Sequence, residues 1–408
     1  METNYPLPRS IGQALLTHLG EAPAVVVTGA RQTGKTTLVR ELAPGPRRYL
    51  ALDDLDVMET AQRDPERLLL GAEPVILDEV QRVPAVLSAV KRAVDASGIP
   101  GRFLLTGSAN LLLMRRVSES LAGRASYLTL WPMTRREQRG LGACGKWEDL
   151  LRVPDAEWPA AVTQNPGEPE DWRPLARRGG FPAPALVRKT DAARGRWFDG
   201  YVRTYLERDL QTQARITRLP DFRRVMRAAS LRLGGLVNQA ELGRDAALPQ
   251  QAVGRYLNLL ESSHLLVRLP AYATNRTKRL IKAPKLYWAD TGLALHLAGN
   301  PQPDGAHLEN IILHDLLAWR DSRLGRAEIF YWRTASGAEV DFVIEADGRL
   351  LPIEVKSTAR PGFRDVRHLL AFGVEYGDAA RPGLLLHTGN EVRWIAPGVL
   401  AAPWWRLL

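Results

Sequence analysis

Ala24-Val25-Val26-Val27-Thr28-Gly29-Ala30-Arg31-Gln32-Thr33-Gly34-Lys35-Thr36-Thr37 is the stretch on which the fold turns. The apolar run 24–28 reads as a buried strand, and 35–42 reads as an amphipathic helix. Between them, Gly29 to Thr36 fits GxxxxGK[ST] without a mismatch. Glycines let such a loop turn its backbone N–H groups toward one anion, and the helix amino end adds the positive end of its dipole. Phosphate is the anion this design suits. Lys35 is placed for β- and γ-phosphates, Thr36 for Mg²⁺, and the main chain from Gly29 to Thr37 for the cradle. Chance supplies two glycines, a lysine and a Ser/Thr at this spacing in roughly one unrelated chain of this length in a hundred.

Working outward, Val75-Ile76-Leu77 predicts a second buried strand that ends in Asp78 and Glu79. A carboxylate there can hold the magnesium, and the next one can orient and deprotonate water. Further strands are expected over 48–52, 103–106 and 125–130, with helical segments between them, including 85–94. Strands alternating with helices predict an α/β domain with a parallel sheet covered on both faces. Thr106, Ser108 and Asn110 fall at the end of the 103–106 strand, with Ser108 or Asn110 preferred as a sensor of the terminal phosphate. Arg124 is a candidate arginine finger, with a structural ion pair as the rival reading.

Composition sets the outer limits. At 408 residues, two or three domains are expected. A surplus of 55 Lys and Arg over 45 Asp and Glu, +10 in all, suits an anionic partner such as nucleic acid, although an arginine-rich composition bias gives the same excess. The single cysteine, Cys144, leaves no internal disulfide and fits a reducing compartment. No apolar run reaches the roughly 18 residues of a membrane span, and the first residues lack a signal-peptide layout. The expectation is a cytoplasmic protein without membrane contact.

A second chemistry gathers near the C-terminus. Glu309 lies in a helix predicted over 308–319, and strands are predicted over 329–332, 339–344 and 351–355. Alternation puts Glu354 and Lys356 on one face, and a hairpin would bring Asp341 beside them. Carboxylates so grouped can hold a divalent metal while the lysine orients water, the layout of metal-dependent phosphodiester hydrolysis. Between the two chemistries, 236–269 reads as helix, turn, helix, strand, with Leu242, Val253, Tyr256, Leu257 and Leu260 as its buried stripe. Residues 274–288 read as a basic β-hairpin. Residues 141–185, rich in proline and tryptophan, read as an irregular linker or lid.

GARQTGKTTL, VILDEVQRVP, LLTGSANLLL, SLAGR, YLERDL, YWRTASGAEVDFVI and PIEVKS, in this order, resemble the prokaryotic AAA-type ATPases that end in a nuclease-like domain. The resemblance covers about residues 15–365. It implies a P-loop NTPase core of AAA type over 1–140, then the linker. It further implies a helical winged-helix domain over 186–300 and a restriction-endonuclease-like PD-(D/E)xK domain over 301–408. By the same likeness Lys35 and Thr36 bind ATP, and Asp78 and Glu79 form the Walker B pair. Asp341, Glu354 and Lys356 match the nuclease signature, with Glu309 as the helical acid and Mg²⁺ or Mn²⁺ as the metal. In a winged helix the second helix enters the major groove and a basic wing meets phosphates. Arg255, and Arg276, Lys278, Arg279, Lys282 and Lys285 on the hairpin, would then contact nucleic acid, DNA by preference. Two functions remain: an ATP-driven nucleic-acid enzyme, or a non-cleaving regulatory or defence switch acting on a protein partner. A transcription-type regulator leaves the phosphate loop unexplained, and a finger role for Arg124 requires a homo-oligomer.

Overall fold

The computed structural model describes residues 6–107, 121–164, 168–204, 218–275, 277, 279 and 282–408. Its first sheet has the order β2-β3-β4-β1-β5, built from β1 (Ala24–Thr28), β2 (Arg48–Ala51), β3 (Val75–Asp78), β4 (Phe103–Thr106) and β5 (Ala125–Thr129). All four pairings are parallel. β1, β3 and β4 are buried along their whole length, which is why they read as unbroken apolar runs and not as alternation. Ligands of such sheets gather beyond the carboxyl ends of the strands. Here those ends carry Gly29, Asp78 and Thr106.

Residues 141–185 correct the expectation of an irregular linker. They hold three short helices, Trp147–Arg152, Trp158–Thr163 and Trp172–Arg178. Trp147, Trp158 and Trp172 are buried in one core with residues of the C-terminal segment such as Ile312, Ile353, Leu386 and Trp404.

The middle segment contains helices Leu219–Ser230, Gln239–Ala246 and Gln250–Ser262, followed by β6 (Leu266–Leu269). Leu242, Val253, Leu257 and Leu260 are fully buried, and Tyr256 packs on their cluster partly covered. Among the described residues of the basic run, the last four, β7 (Lys285–Trp288), form a strand, which pairs antiparallel with β6 and not with an earlier part of the run; Arg279 and Lys282 precede it outside any strand.

The last sheet has the order β12-β13-β11-β10-β9-β8. It comprises β8 (Ala327–Arg333), β9 (Glu339–Ala346), β10 (Arg349–Val355), β11 (Gly383–His387), β12 (Arg393–Ala396) and β13 (Val399–Pro403). One face packs on the helix Gly305–Ser322 and the other on the helix Arg367–Tyr376, so neighbouring residues feed two cores. Asp347 and Gly348 join β9 to β10 with φ of 50° and 75°, the paired positive values of a two-residue hairpin turn. That turn sets Ala346 opposite Arg349 and Phe342 opposite Ile353. Continued one step, the register sets Asp341 opposite Glu354.

Candidate functional site

The phosphate loop is shaped by three left-handed or otherwise positive backbone angles, at Gly29 (142°), Gln32 (62°) and Gly34 (97°). A Cβ on Gly29 would stand 2.2 Å from the Leu130 carbonyl oxygen, so no other residue fits there. Gln32 adopts the left-handed region without a glycine's freedom, at a cost of about 1–2 kcal/mol. Tertiary bonds hold the loop against that strain. Thr33 Oγ1 donates to Ala30 O (2.9 Å), and Arg9 Nη1 donates to Thr33 O (2.9 Å). Arg9 also donates to Trp131 O (2.7 Å) and pairs with Glu137 (3.2 Å) while buried.

Lys35 is buried and curls over its own loop, donating to Gly29 O (3.2 Å) and Ala30 O (2.8 Å). Burial lowers its ammonium to about 8, against Glu79 and Asp78, which act to raise it. Asp78 is the hub of the site. Its Oδ2 accepts from Thr36 Oγ1 (2.8 Å) and from the Tyr49 hydroxyl (2.7 Å), and its Oδ1 from the Thr106 hydroxyl. Glu79 is left-handed at φ 59°, its N–H donates to Thr106 Oγ1 (3.3 Å), and its carboxylate accepts from Gln81. A hydroxyl and a carboxylate side by side form the oxygen set a hard cation needs, so Thr36 and Asp78 fit Mg²⁺. Beside Gly34 and Thr37 lies an apolar cavity of about 140 Å³ lined by Leu7, Leu38, Leu42 and Pro182.

Arg124 forms the structural ion pair that was its rival reading. It is paired with Asp95 (Nη2 to Oδ2, 3.2 Å) and precedes β5 at the end where Ala125 meets Ala24. The loop follows Thr28 at the other end of β1, so Arg124 cannot serve the phosphates of its own chain. Ser108 and Asn110 lie outside the described residues. Arg9 and Tyr49 carried no signal in the sequence: their partners are remote along the chain and neither sits in a motif.

In the C-terminal segment, Asp341 and Glu354 meet as the hairpin register dictates. Asp341 Oδ2 accepts from Val355 N (2.9 Å), and Glu354 Oε1 accepts from Lys356 Nζ (2.6 Å). Glu309 accepts from the Tyr287 hydroxyl (2.9 Å). The three carboxylates do not form an open metal cage, which corrects the expectation. Among the described residues no group of three His, Cys, Asp or Glu is arranged to hold a metal. Lys285 stands among them instead, 4% exposed, with Nζ 2.5 Å from Glu339 Oε1, 3.3 Å from Asp341 Oδ1 and 4.0 Å from Glu309 Oε2. Burial acts to lower its pKa, but Asp341, Glu309 and Glu339 outweigh that and hold it above the usual lysine range. Burial, then Asp341, pushes Glu309 and Glu354 up to about 8.

Lys285 is therefore not a surface phosphate contact. Nor is Arg279 free for that role, because it forks onto Glu345 (2.6 and 3.1 Å) and stacks on Tyr272 and Phe330. Lys282 is exposed and donates to Arg333 O (3.2 Å), and Arg255 is exposed on the helix Gln250–Ser262. Arg276 and Lys278 lie outside the described residues. No helix among those described is long and apolar enough to cross a membrane.

Residues 21–138 match the family model described as an AAA domain. Residues 169–304 and 304–407 match two models each described as a domain of unknown function, DUF8612 and DUF4143. The uncharacterized protein Rv2008c of Mycobacterium tuberculosis is 32% identical over 365 residues, 86% of this chain and 74% of that one. The chain belongs to that protein's family. The uncharacterized protein Mb2031c of Mycobacterium bovis matches with the same identity and coverage. Among solved structures, the Walker-type ATPase paby2304 of Pyrococcus abyssi is similar at 16% identity, with 71% of this chain and 98% of that chain covered and a TM-score of 0.42. Protein VC1899 of Vibrio cholerae is similar at 10% identity, over 93% and 94% of the two chains, with a TM-score of 0.19. The AAA match, the parallel sheet and the loop at its centre make the first segment a P-loop ATPase domain of this family.

Proposed function

We propose that the protein binds and hydrolyses ATP and that its nucleotide state governs engagement of a nucleic acid, DNA by preference. The observation that carries the reading is the bond from Thr36 to Asp78, which joins the phosphate loop to the tip of β3. ATP with magnesium would supply the phosphoanhydride and the charge that this constellation is built to meet. Lys35 would exchange its two loop carbonyls for phosphate oxygens, Thr36 and Asp78 would hold the cation, and Glu79 would orient the attacking water. The apolar cavity beside Gly34 suits the base. Tyr201 donates to Arg31 O (3.3 Å), a contact through which the loop's state can reach the middle segment.

Support for the nucleic-acid part is electrostatic and geometric. The chain carries a +10 surplus, and a groove of about 700 Å³ lined by Tyr272, Asn275, Lys282, Tyr331, Arg333 and Tyr376 runs beside the basic connection. The winged-helix and nuclease-like assignments of the middle and last segments remain part of this proposal. An arginine finger role for Arg124 would require a second copy of the chain.

The test is ATP turnover by the purified protein and by Lys35→Ala, with labelled DNA followed by fluorescence polarisation with and without ATP. Turnover that survives Lys35→Ala overturns the ATPase reading; DNA binding absent in every nucleotide state at low salt overturns the partner. The second reading, a non-cleaving switch acting on a protein, is favoured by one observation: Lys285 sits where a cleaving site would need a metal.

A further inference from the structure

A cavity of about 380 Å³ lies where the phosphate loop meets the helix Asp191–Tyr201. Arg31 and Gln32 of the loop line one side, and Arg196, Trp197, Gly200 and Tyr201 of the helix line the other. Positions 196 and 200, like 197 and 201, are one turn apart, so the helix presents both pairs to the loop. Arg196 is exposed and makes no ion pair among the described residues. Trp197 is half-buried and stacks on Tyr201, with ring centres 5.2 Å apart and planes at 17°. Phe181 packs against both rings, at 5.4 and 5.0 Å, and fixes them as a platform. Two guanidinium groups thus border one space whose described lining holds no acid. Burial lowers the Lys35 ammonium and the Arg31 charge lowers it further, which puts Arg31 within electrostatic reach of the phosphate-binding lysine.

The space is not the pocket assigned to the ATP base, because it shares no lining residue with the apolar cavity beside Gly34 and Thr37. A phosphate alone would leave most of it empty, whereas a phosphate with its sugar and base would not. We propose that it takes one nucleotide of a single-stranded nucleic acid, its phosphate between Arg31 and Arg196 and its base against Trp197. Arginine meets a phosphate with two parallel N–H donors, and an aromatic ring stacks on any base. A base inside a duplex has both faces covered, so the site selects an unpaired strand. The inference rests on the reading that the chain engages nucleic acid, and it places that engagement on the loop that holds ATP. Tyr201 joins the two, since it stacks on Trp197 while its hydroxyl bonds the Arg31 carbonyl.

The experiment uses the full chain with a fluorescein-labelled single-stranded DNA and the same sequence as a duplex, at low salt, with and without ATP. Fluorescence polarisation should show tighter binding to the single strand. Trp197→Leu should weaken it about five- to a hundredfold, the range for losing one base–aromatic stack, and Trp197→Phe should recover most of the loss. Arg196→Gln should weaken it too, and should flatten the slope of log affinity against log salt by about 0.7, the share of one phosphate contact on a single strand. Arg196 is exposed, so that variant carries the test if Trp197→Leu does not fold. Folded variants that bind the strand as tightly as wild type overturn the proposal and leave the nucleic-acid reading standing. Wild type that binds neither DNA overturns both. A duplex bound as tightly as the strand overturns the proposal, as does displacement by AMP or polyglutamate as effective as by unlabelled strand. An Arg196→Gln variant whose ATP affinity falls as far as its strand affinity places Arg196 on ATP instead, which overturns it as well.

Discussion

The Thr36 hydroxyl donates to Asp78 Oδ2 at 2.8 Å, closing a gap of 42 positions along the chain. Tyr49 donates to the same oxygen at 2.7 Å from the neighbouring strand. The carboxylate is thus held at Oδ2 by Thr36 and Tyr49 and at Oδ1 by the Thr106 hydroxyl. Tyr49→Phe removes a donor to a charged acceptor, an interaction of about 1.5–3 kcal/mol. The expected outcome is a loss of about ten- to a hundredfold in kcat with Mg²⁺, and little change in Mg²⁺-free ATP affinity. A comparable loss in Mg²⁺-free ATP affinity would mean that Tyr49 acts on the loop and not on the cation.

Lys35→Ala should lower ATP turnover by about 10²-fold or more, the order seen when one positioned donor to a developing charge is removed. Phosphate release checks this. Arg124→Ala, by contrast, should leave the turnover of dilute protein unchanged, because the side chain sits at the far end of β5 on Asp95.

Arg9→Met deletes the latch between Thr33, Trp131 and Glu137. Losing hydrogen bonds to a charged group should destabilise the fold by about 2 kcal/mol and weaken ATP binding. Denaturant melts and calorimetry together test this. A fall in stability with ATP affinity intact would separate the latch from the loop.

Trp158→Ala should cost about 3–5 kcal/mol, the range for emptying a buried aromatic site. The loss should appear as exposure of the last sheet, read by hydrogen exchange at β11 and β13, since Trp158 belongs to their core. Exchange confined to 147–178 would restore the linker reading.

His314 links the last segment to the first, its Nε2 lying 3.0 Å from Pro132 O. Burial lowers its pKa to about 4, below the ordinary 6.5. A depressed histidine binds fewer protons folded than unfolded, so its contribution is present above 6.5 and lost as pH falls through about 4. The melting-temperature difference between wild type and His314→Asn should therefore shrink from about pH 7 to about pH 4.5. A constant difference would mean that His314 does not titrate in that window.

The ATPase sheet was legible because its central strands are buried on both faces and its loop needs glycine at fixed places. Asp341 and Glu354 were legible as a spaced pair, and Asp347-Gly348, which aligns them, is a turn signal that was open to reading. Lys285 was misread for a physical reason. All four residues of β7 are buried, so no alternation marks which of five neighbouring cations points inward. The tryptophan helices were missed because six or seven residues make fewer than two full turns, too short for a 3.6-residue period to show. Arg9 and Tyr49 act through contacts across the fold, which local pattern does not encode.

The shared core of Trp147, Trp158, Trp172 and Trp404 has a consequence for synthesis. A ribosome adding about 5–20 residues per second needs roughly 10–50 s to pass from Trp172 to Trp404. Through that interval three large indoles have no permanent cover, while the ATPase sheet upstream can already close. The nascent chain thus presents a finished nucleotide domain followed by an adhesive stretch, and chaperone capture during translation should centre on residues 147–178.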